Sequence, residues 1–365
     1  MRFLWTAVFA FAFTLCFGQS QKATDTADAW LTVNNFDDSY RGENEIRIGF
    51  WNLENLFHPS DDSLKNDDSF TPSGNNHFNW YKYNKKLKNL SKVITAVGGW
   101  EPIEIMGFCE VENKQVVEDL IYNTPLKKTN YGIIHVESPD NRGIDVALIY
   151  NRDKIKIDTF QAITVDFLEP DSRPTRDILH VEALFRKKKI HIFINHWPSR
   201  YGGHLVTVPK RNRAADILRS HVDSVFRSEP NANIAILGDF NDHPNDESML
   251  EHLHAKTDTA NLPDTALYNM MWPKMGSEGT HKYQGHWGIL DQIVISGNLL
   301  HGTNGFKTTP ENAVIFKAPF LLEEDRTHLG KKLNRTYIGM RYNGGYSDHL
   351  PILLDLQFLE KQAVK

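Results

Sequence analysis

The stretch Asn233-Ile-Ala-Ile-Leu-Gly-Asp-Phe-Asn241 decides how this chain is read. Ile234, Ala235, Ile236 and Leu237 form a short apolar run, the pattern of a buried strand. Gly238 ends the run. Asp239 and Asn241 then fall on one side, because strand side chains alternate with a period of two. A carboxylate and an amide at the mouth of a buried strand suit a hard cation and a phosphate. An ordinary Gly-Asp turn after a core strand has the same spelling. Whether other strands also end in chemical partners separates the two readings.

Upstream, Glu45 to Trp51 alternates with Ile46, Ile48 and Phe50 on one side and runs into Asn52-Leu53-Glu54-Asn55. Glu104 to Phe108 is a second short strand and delivers Glu110, in Glu110-Val111-Glu112-Asn113, which opens a helix through Leu120. Tyr131 to Val136 and Ile144 to Tyr150 read as strands around the hairpin loop Ser138-Pro-Asp-Asn-Arg-Gly143, with Arg142 and Asp145 near the turn. Ile178 to Phe185 and Ile190 to Asn195 follow. The last ends in Asn195-His196-Trp197-Pro198, a corner that holds His196 rigidly. Downstream, Leu290 to Ser296 carries Asp291 at its start, and Ser347-Asp348-His349 precedes a final strand, Ile352 to Leu356.

Amphipathic helices are expected at two places. Tyr83, Leu87, Leu90, Ile94 and Val97 recur at helical spacing among Lys82, Lys85, Lys86, Lys88 and Lys92, which read as a solvated lysine face. Arg211 to Arg227 is the other, with Ala214, Ile217, Leu218, Val222 and Val225 on one side. The segment from Phe57 to Asn79 is an acidic loop whose spacing matches no calcium-binding loop. Residues 297 to 340 give little regular signal. Phe316, Phe320, Leu321 and Leu322 within them are expected to pack in the core.

The chain has 365 residues, 24% of them charged, and a net charge of −5. That length supports a sizeable core. The acidic balance supplies no overall basic footprint of the kind nonspecific nucleic-acid binders carry. Met1-Arg2 followed by the apolar run Phe3 to Phe17 is expected to be a secretory signal peptide over residues 1–18, too short to span a membrane. Residues 19–41 read as a flexible lead-in, and 42–360 as one catalytic domain with no stable membrane insertion. Once the leader with Cys16 is removed, Cys109 is the one cysteine left, so a cysteine-held zinc is excluded.

The strand-end residues Asn52, Glu110, Asn195, His196, Asp239, Asn241, Asp291, Asp348 and His349 form an oxygen-rich set with two imidazoles. Such sets suit Mg2+, with Mn2+ or Ca2+ as alternatives. No Walker-type phosphate loop, no Gly-x-Ser-x-Gly elbow and no His-Glu-x-x-His motif is present. Phosphate-ester hydrolysis needs a cation for a non-bridging oxygen, a base for water and donors for developing charge. The strand ends offer all three, and two imidazoles suit the proton transfers.

Taken together, Trp51-Asn52-Leu53-Glu54-Asn55, Glu110-Val111-Glu112-Asn113, Arg142-Gly143-Ile144-Asp145, Asn195-His196-Trp197, Gly238-Asp239-Phe240-Asn241, Leu290-Asp291-Gln292 and Ser347-Asp348-His349 resemble the endonuclease/exonuclease/phosphatase superfamily, deoxyribonuclease I-like enzymes included. The resemblance runs in order from about residue 45 to 356. It implies an α/β fold, a four-layer α/β sandwich with two mixed, mostly antiparallel sheets packed face to face and helices outside. It implies Glu110 as the main metal ligand, with Asn52 and Asp348 assisting. His349 oriented by Asp291 is implied as base or phosphate contact, with Asp239 as the alternative base. Asn241 would hold the phosphate and His196 would be the acid or stabilise the pentavalent charge. Arg142, Asp145 and Asn195 would support the substrate.

The expected protein is therefore an exported, monomeric, metal-dependent phosphodiesterase. Extracellular nucleic acid is its first expected substrate, with phospholipids and small phosphate esters as the alternatives. Two features depart from the nuclease pattern. Glu112 stands where a DNA-contacting basic residue is expected, and the loop at 58–79 is acidic. Arg142, Arg200, Lys210, Arg211 and Arg213 are the candidates to compensate along a rim.

Overall fold

The computed structural model describes residues 28–32, 36–167 and 173–360. The expected leader, with Cys16, lies outside them. In chain order the main elements are β1 (Glu45–Leu56), α1 (Trp80–Gly98), β2 (Ile105–Val111), α2 (Lys114–Tyr122), β3 (Tyr131–His135), β4 (Asp145–Asn151), β5 (Ile155–Ile163), β6 (Ile178–Phe185), β7 (Lys188–His196), α3 (His204–Ser228), β8 (Ile234–Asp239), β9 (Ala255–Lys256), β10 (Leu267–Asn269), β11 (Asp291–Ser296), α4 (Gly297–His301), β12 (Phe306–Lys307), β13 (Ala313–Ile315) and β14 (Ile352–Phe358). The first seven-stranded sheet has the order β12-β14-β1-β2-β4-β3, with β13 also on β14. The second has the order β5-β6-β7-β8-β11-β10-β9.

Period-two alternation makes the sandwich. Ile48 and Phe50 of β1 share one core with Ile192 and Ile194 of β7 and with Ala235 and Leu237 of β8. The opposite face of the second sheet presents Phe193, Ile234 and Ile236 to Ala214, Leu218 and Val222 of α3. Each fully buried Val, Leu, Ile or Phe side chain among them contributes about 1.5–3 kcal/mol of transfer free energy. Gly107 of β2 sits at a close approach of the two sheets. A Cβ there would lie 2.4 Å from Ile194 Cδ1.

Pairing direction decides where the strand ends gather. β1 runs parallel to β2, and β7 parallel to β8, so their C-terminal ends lie on one edge of the sandwich. β11 is antiparallel to β8, and β14 antiparallel to β1, so the start of β11 and the lead into β14 reach the same edge. Asn52, Glu110, His196, Asp239, Asp291 and His349 are thereby assembled from six separate stretches of chain.

Three expectations are corrected. Helix α3 begins at His204 rather than Arg211. Its added turns carry exposed Leu205 and Val206, so no apolar stripe marked them. Lys86 of α1 is buried, not solvated, and its Nζ donates to Thr336 Oγ1 and to the Tyr346 carbonyl. Residues 297–340 are ordered by short pairings, Leu322–Glu324 with Lys331–Leu333 and Tyr337–Ile338 with Arg341–Tyr342. Phe316 and Leu321 are buried, and Phe320 and Leu322 pack against the core, as expected.

Candidate active site

Backbone irregularity aims the acidic groups. The pairings of β2 with both β1 and β4 shift register at Glu110, so this residue is bulged out of both ladders. Glu110 has φ 58°, and Glu54, Asn55 and Asn241 have φ 51°, 59° and 51°. Four non-glycine residues held left-handed around one edge of the sandwich are a cost the core sustains at a functional place. Gly238 permits the neighbouring approach, since a Cβ there would meet Asn195 Cβ and its carbonyl oxygen at 2.5 Å.

Asp239 is the centre of the cluster. Its Oδ2 accepts from Asn52 Nδ2 at 3.1 Å, and its Oδ1 from the Asn241 backbone N–H at 3.0 Å. The Nε2 atoms of His196 and His349 each lie 3.9 Å from Asp239 Oδ2. Glu110 enters from β2. Its Oε1 is 4.0 Å from His196 Nε2, and its Oε2 accepts from the Asn55 backbone N–H at 2.8 Å. His349 Nδ1 meets Asp291 Oδ2 at 2.7 Å, which leaves Nε2 facing Asp239. The His349 backbone is fixed as well. Its carbonyl accepts from Trp51 Nε1, its N–H donates to Ser347 Oγ, and Ser347 Oγ donates to the Asn52 carbonyl.

These groups set one another's charge. Burial pushes the Asp239 carboxyl up to about 7, with Asp291 adding to the rise and His349 opposing it. Burial works against charge on His349, but Asp291 and Asp239 outweigh it and hold the imidazole well above its ordinary range. His196 goes the other way. Burial, then Arg176, Arg142 and His349, depress it well below the usual value. The site thus pairs a charged imidazole with a neutral one. His196 Nδ1 and Asp291 Oδ1 are buried with no hydrogen-bond partner.

Two of the expected substrate residues are engaged elsewhere. Asn195 is fully buried. Its Nδ2 donates to the Phe193 and Leu237 carbonyls, and its Oδ1 accepts from Trp197 Nε1. Its place is to hold the Trp197 corner behind His196. Asp145 accepts from Ser138 N–H and Oγ and faces His135 Nε2 at 3.0 Å, which closes its own hairpin. Arg142 is exposed at the mouth and donates to Asn55 Oδ1 at 2.7 Å. Asn241 is partly buried, with Nδ2 donating to the Trp197 carbonyl at 3.1 Å.

Sequence reading gave no role to four groups that the structure brings to the site. Arg335 donates from Nη2 to Asp348 Oδ2 at 2.8 Å and from Nε to Glu54 Oε1 at 3.1 Å. Burial would raise the Asp348 carboxyl, but Arg335, with His349 behind it, holds it low. Buried Glu54 sits between that guanidinium and Lys86 Nζ, 4.0 Å away. His281 lies beside His349, ring centroids 4.8 Å apart, and burial with the His349 charge pushes it down to about 4. Arg176 is buried, donates to the Trp197 carbonyl and to Asp140, and leans electrostatically on His196. Glu54 was signalled only as one letter of the Trp51–Asn55 motif. Arg335 lies in the stretch with no regular pattern.

The donor chemistry fits a hard divalent cation. Glu110 Oε1 and Asp239 Oδ2 both lie about His196 Nε2, and Arg335 takes only one oxygen of Asp348. The raised Asp239 pKa reports crowded buried carboxylates that a cation would relieve. Cys109, His196 and Asp239 also bring donor atoms within 4.8 Å of one another, but Cys109 is buried and its thiol is pushed up by burial and the nearby carboxylates.

The endonuclease/exonuclease/phosphatase family model matches residues 47–358, most of the chain. The protein belongs to that family. Members are metal-dependent phosphoesterases, and so is this chain. A family protein from Bacteroides thetaiotaomicron superposes with TM-score 0.54 at 15% identity, over 87% of this chain and 96% of that one. A mannosyl-6-phosphatase from the same organism gives 0.53 at 14%, over 86% and 100%. D. rerio TDP2 complexed with a single-strand DNA product gives 0.52 at 13%, over 86% and 99%. These likenesses establish the fold. No curated protein matches the sequence. No described helix is long and apolar enough to cross a membrane.

Proposed function

We propose that the protein is an exported phosphoesterase that acts on compact phosphate esters rather than along a nucleic-acid backbone. The observation that carries the substrate class is the pairing of the rim. Arg200 is committed to Asp242 and Asp246, fully buried Arg211 to Asp242, and Arg213 to Asp166. Arg335 is committed to Glu54 and Asp348. Arg142, exposed at the mouth, and Lys210, whose Nζ lies 5.3 Å from the Phe167 ring centroid, have no acidic partner among the described contacts. One such guanidinium suits one phosphate, whereas tracking a polynucleotide takes several. Glu112 does not present its carboxylate at the surface. It is buried, with its carboxylate accepting from the His58 N–H.

A bound divalent cation at Glu110, with Asp348 and Asn52 beside it, would neutralise a non-bridging phosphate oxygen and assist the leaving oxygen. The chain's own groups do the rest. Asp239, fixed by Asn52 and Asn241, takes the proton of the attacking water. His349, held cationic by Asp291, contacts the phosphate and offsets the charge that builds on it. Neutral His196, braced by the Asn195–Trp197 corner, donates a hydrogen bond to a phosphoryl oxygen.

Nuclease activity is the second reading. Lys210, a second rim cation without an acidic partner, favours it, as does the DNA product seen in the structurally similar TDP2. Purified protein with Mg2+ is tested on p-nitrophenyl phosphate, bis-p-nitrophenyl phosphate, single-stranded oligonucleotide and plasmid DNA. Higher kcat/KM on the small esters supports the first reading. A decisive preference for either polynucleotide replaces it with the nuclease. Export is supported by the basic start and apolar run of residues 1–18, and fractionation of the producing cell tests it.

A further inference from the structure

A second set of metal-ligating side chains lies on the outer face of the second sheet, away from the catalytic edge. His180 and Glu182 are two residues apart on β6 and so share a face. Glu182 stands directly opposite His191 on β7, and His180 opposite Phe193, so His180 and His191 are diagonal neighbours. His180 Nε2 and His191 Nδ1 are 3.1 Å apart, and both rings are more than nine-tenths buried. One donor atom from each of His180, Glu182 and His191 falls within 4.8 Å of the others. His191 lies five residues before His196 on β7, roughly 16 Å along the strand.

Each imidazole is backed on its outer nitrogen. His191 Nε2 faces Glu229 Oε2 at 3.4 Å, and His180 Nδ1 faces Gln161 Nε2 at 3.2 Å. A carboxylate or carbonyl behind the distal nitrogen fixes the tautomer whose other nitrogen carries a lone pair. With Gln161 Nε2 donating to His180 Nδ1, the metal-free set is a hydrogen-bond chain in which His180 Nε2–H donates to His191 Nδ1; turning the Gln161 amide over moves the proton to His180 Nδ1 and frees both inner nitrogens for a metal. In that turned-over tautomer the two lone pairs face each other and a cation between them replaces the proton. Two ligand nitrogens on a tetrahedral zinc stand about 3.3 Å apart, close to the spacing found.

The surrounding charge also asks for a cation. Glu182, Glu229 and Asp158 surround the single ammonium of Lys189, at 2.6, 3.1 and 3.9 Å. Asp158 and Glu229 are part-exposed and solvent-screened, so Glu182 is the carboxylate placed to ligate. Two imidazole nitrogens and a carboxylate oxygen are a borderline donor set that prefers zinc to magnesium.

We propose that His180, Glu182 and His191 form a second, non-catalytic site for a zinc-type divalent ion, with Glu229 and Gln161 orienting the two imidazoles. The site staples β6 to β7 and leaves a coordination position open to water.

Metal-free full-length protein is titrated with Zn2+ in excess Mg2+, and bound zinc is counted after dialysis. The expected wild-type protein retains one equivalent that His191→Gln loses. Asp239→Asn, altered in the catalytic cluster, keeps it. Glu229→Gln weakens binding by about 10–100-fold, as removal of an orienting partner does. Co2+ in place of zinc gives intense four-coordinate visible absorption that disappears in His191→Gln. Should His191→Gln fail to fold, Glu182→Gln replaces it and is expected to bind zinc more weakly than wild type. No zinc retained by wild type, or equal zinc in wild type and the β6–β7 variants, overturns the proposal. The four groups are then only a Gln161–His180–His191–Glu229 hydrogen-bond chain.

Discussion

Asp291 shows how one buried carboxylate sets the chemistry of a neighbour. It is fully buried, holds His349 Nδ1 at 2.7 Å, and contributes both to the charge on His349 and to the raised pKa of Asp239. Asp291→Asn keeps the shape and removes the anion. Turnover is expected to fall by roughly 10²-fold or more, and circular dichroism should show an intact fold. Unchanged turnover would take the Asp291–His349 pair out of the mechanism. Individual site residues were legible because each stands at a strand end beside a short recognisable run, as Asp239 does after Ile234–Leu237 and His349 before Ile352. Asn195 and Asp145 looked equally eligible by that rule. The rule gives proximity to an edge and not side-chain direction. Asn195 has the parity of Phe193 and faces the outer core. Asp145 is consumed by Ser138 and His135 inside its own hairpin. Arg335 reaches the site from a stretch without periodicity, and no local pattern encodes the contact to Glu54, 281 residues away in sequence.

At the scale of elements, the sheets are positioned by small residues at close approach. Gly107→Val would drive side-chain atoms into Ile194 Cδ1, already 2.4 Å from where a Cβ would stand. A loss of about 1–3 kcal/mol is expected from such overpacking, measured by urea unfolding. Adding Ile194→Ala should recover part of it, and a strictly additive double variant would contradict the packing account. Strands β6 and β7 carry a pH signature. His180 is lowered to about 4 in the fold, against an ordinary value of 6.5. Between those values the unfolded chain binds more protons than the folded one, so stability rises with pH across that window and is lost as pH falls from 6.5 towards 4. In metal-free protein the loss is on the order of 3 kcal/mol. Urea midpoints of wild type and His180→Gln at pH 7 and pH 4.5 test it. The variant should show the smaller acid loss. The strands themselves were legible from alternation. The early start of α3 was not, because Leu205 and Val206 are exposed and leave no stripe.

For the whole molecule, two sheets of mixed direction carry six chain segments to one edge, and the acidic interior of that edge calls for a cation. Activity should vanish with chelator and return on addition of Mg2+ or Mn2+. Activity that survives exhaustive chelation would contradict the role given to Glu110. The overall architecture was readable from the order of short motifs between Asn52 and His349. The pairing of Arg200, Arg211 and Arg213 with acidic partners was not, because charge partners distant in sequence become neighbours only in the fold. In the proposed reading, that pairing favours a compact ester over a long polyanion as substrate. The most direct single measurement is the steady-state rate on bis-p-nitrophenyl phosphate with Mg2+, wild type beside Asp239→Asn, at equal folded concentration. A wild-type rate that falls by about 10³-fold or more in the variant is the result this account predicts. Equal rates in the two proteins would contradict it.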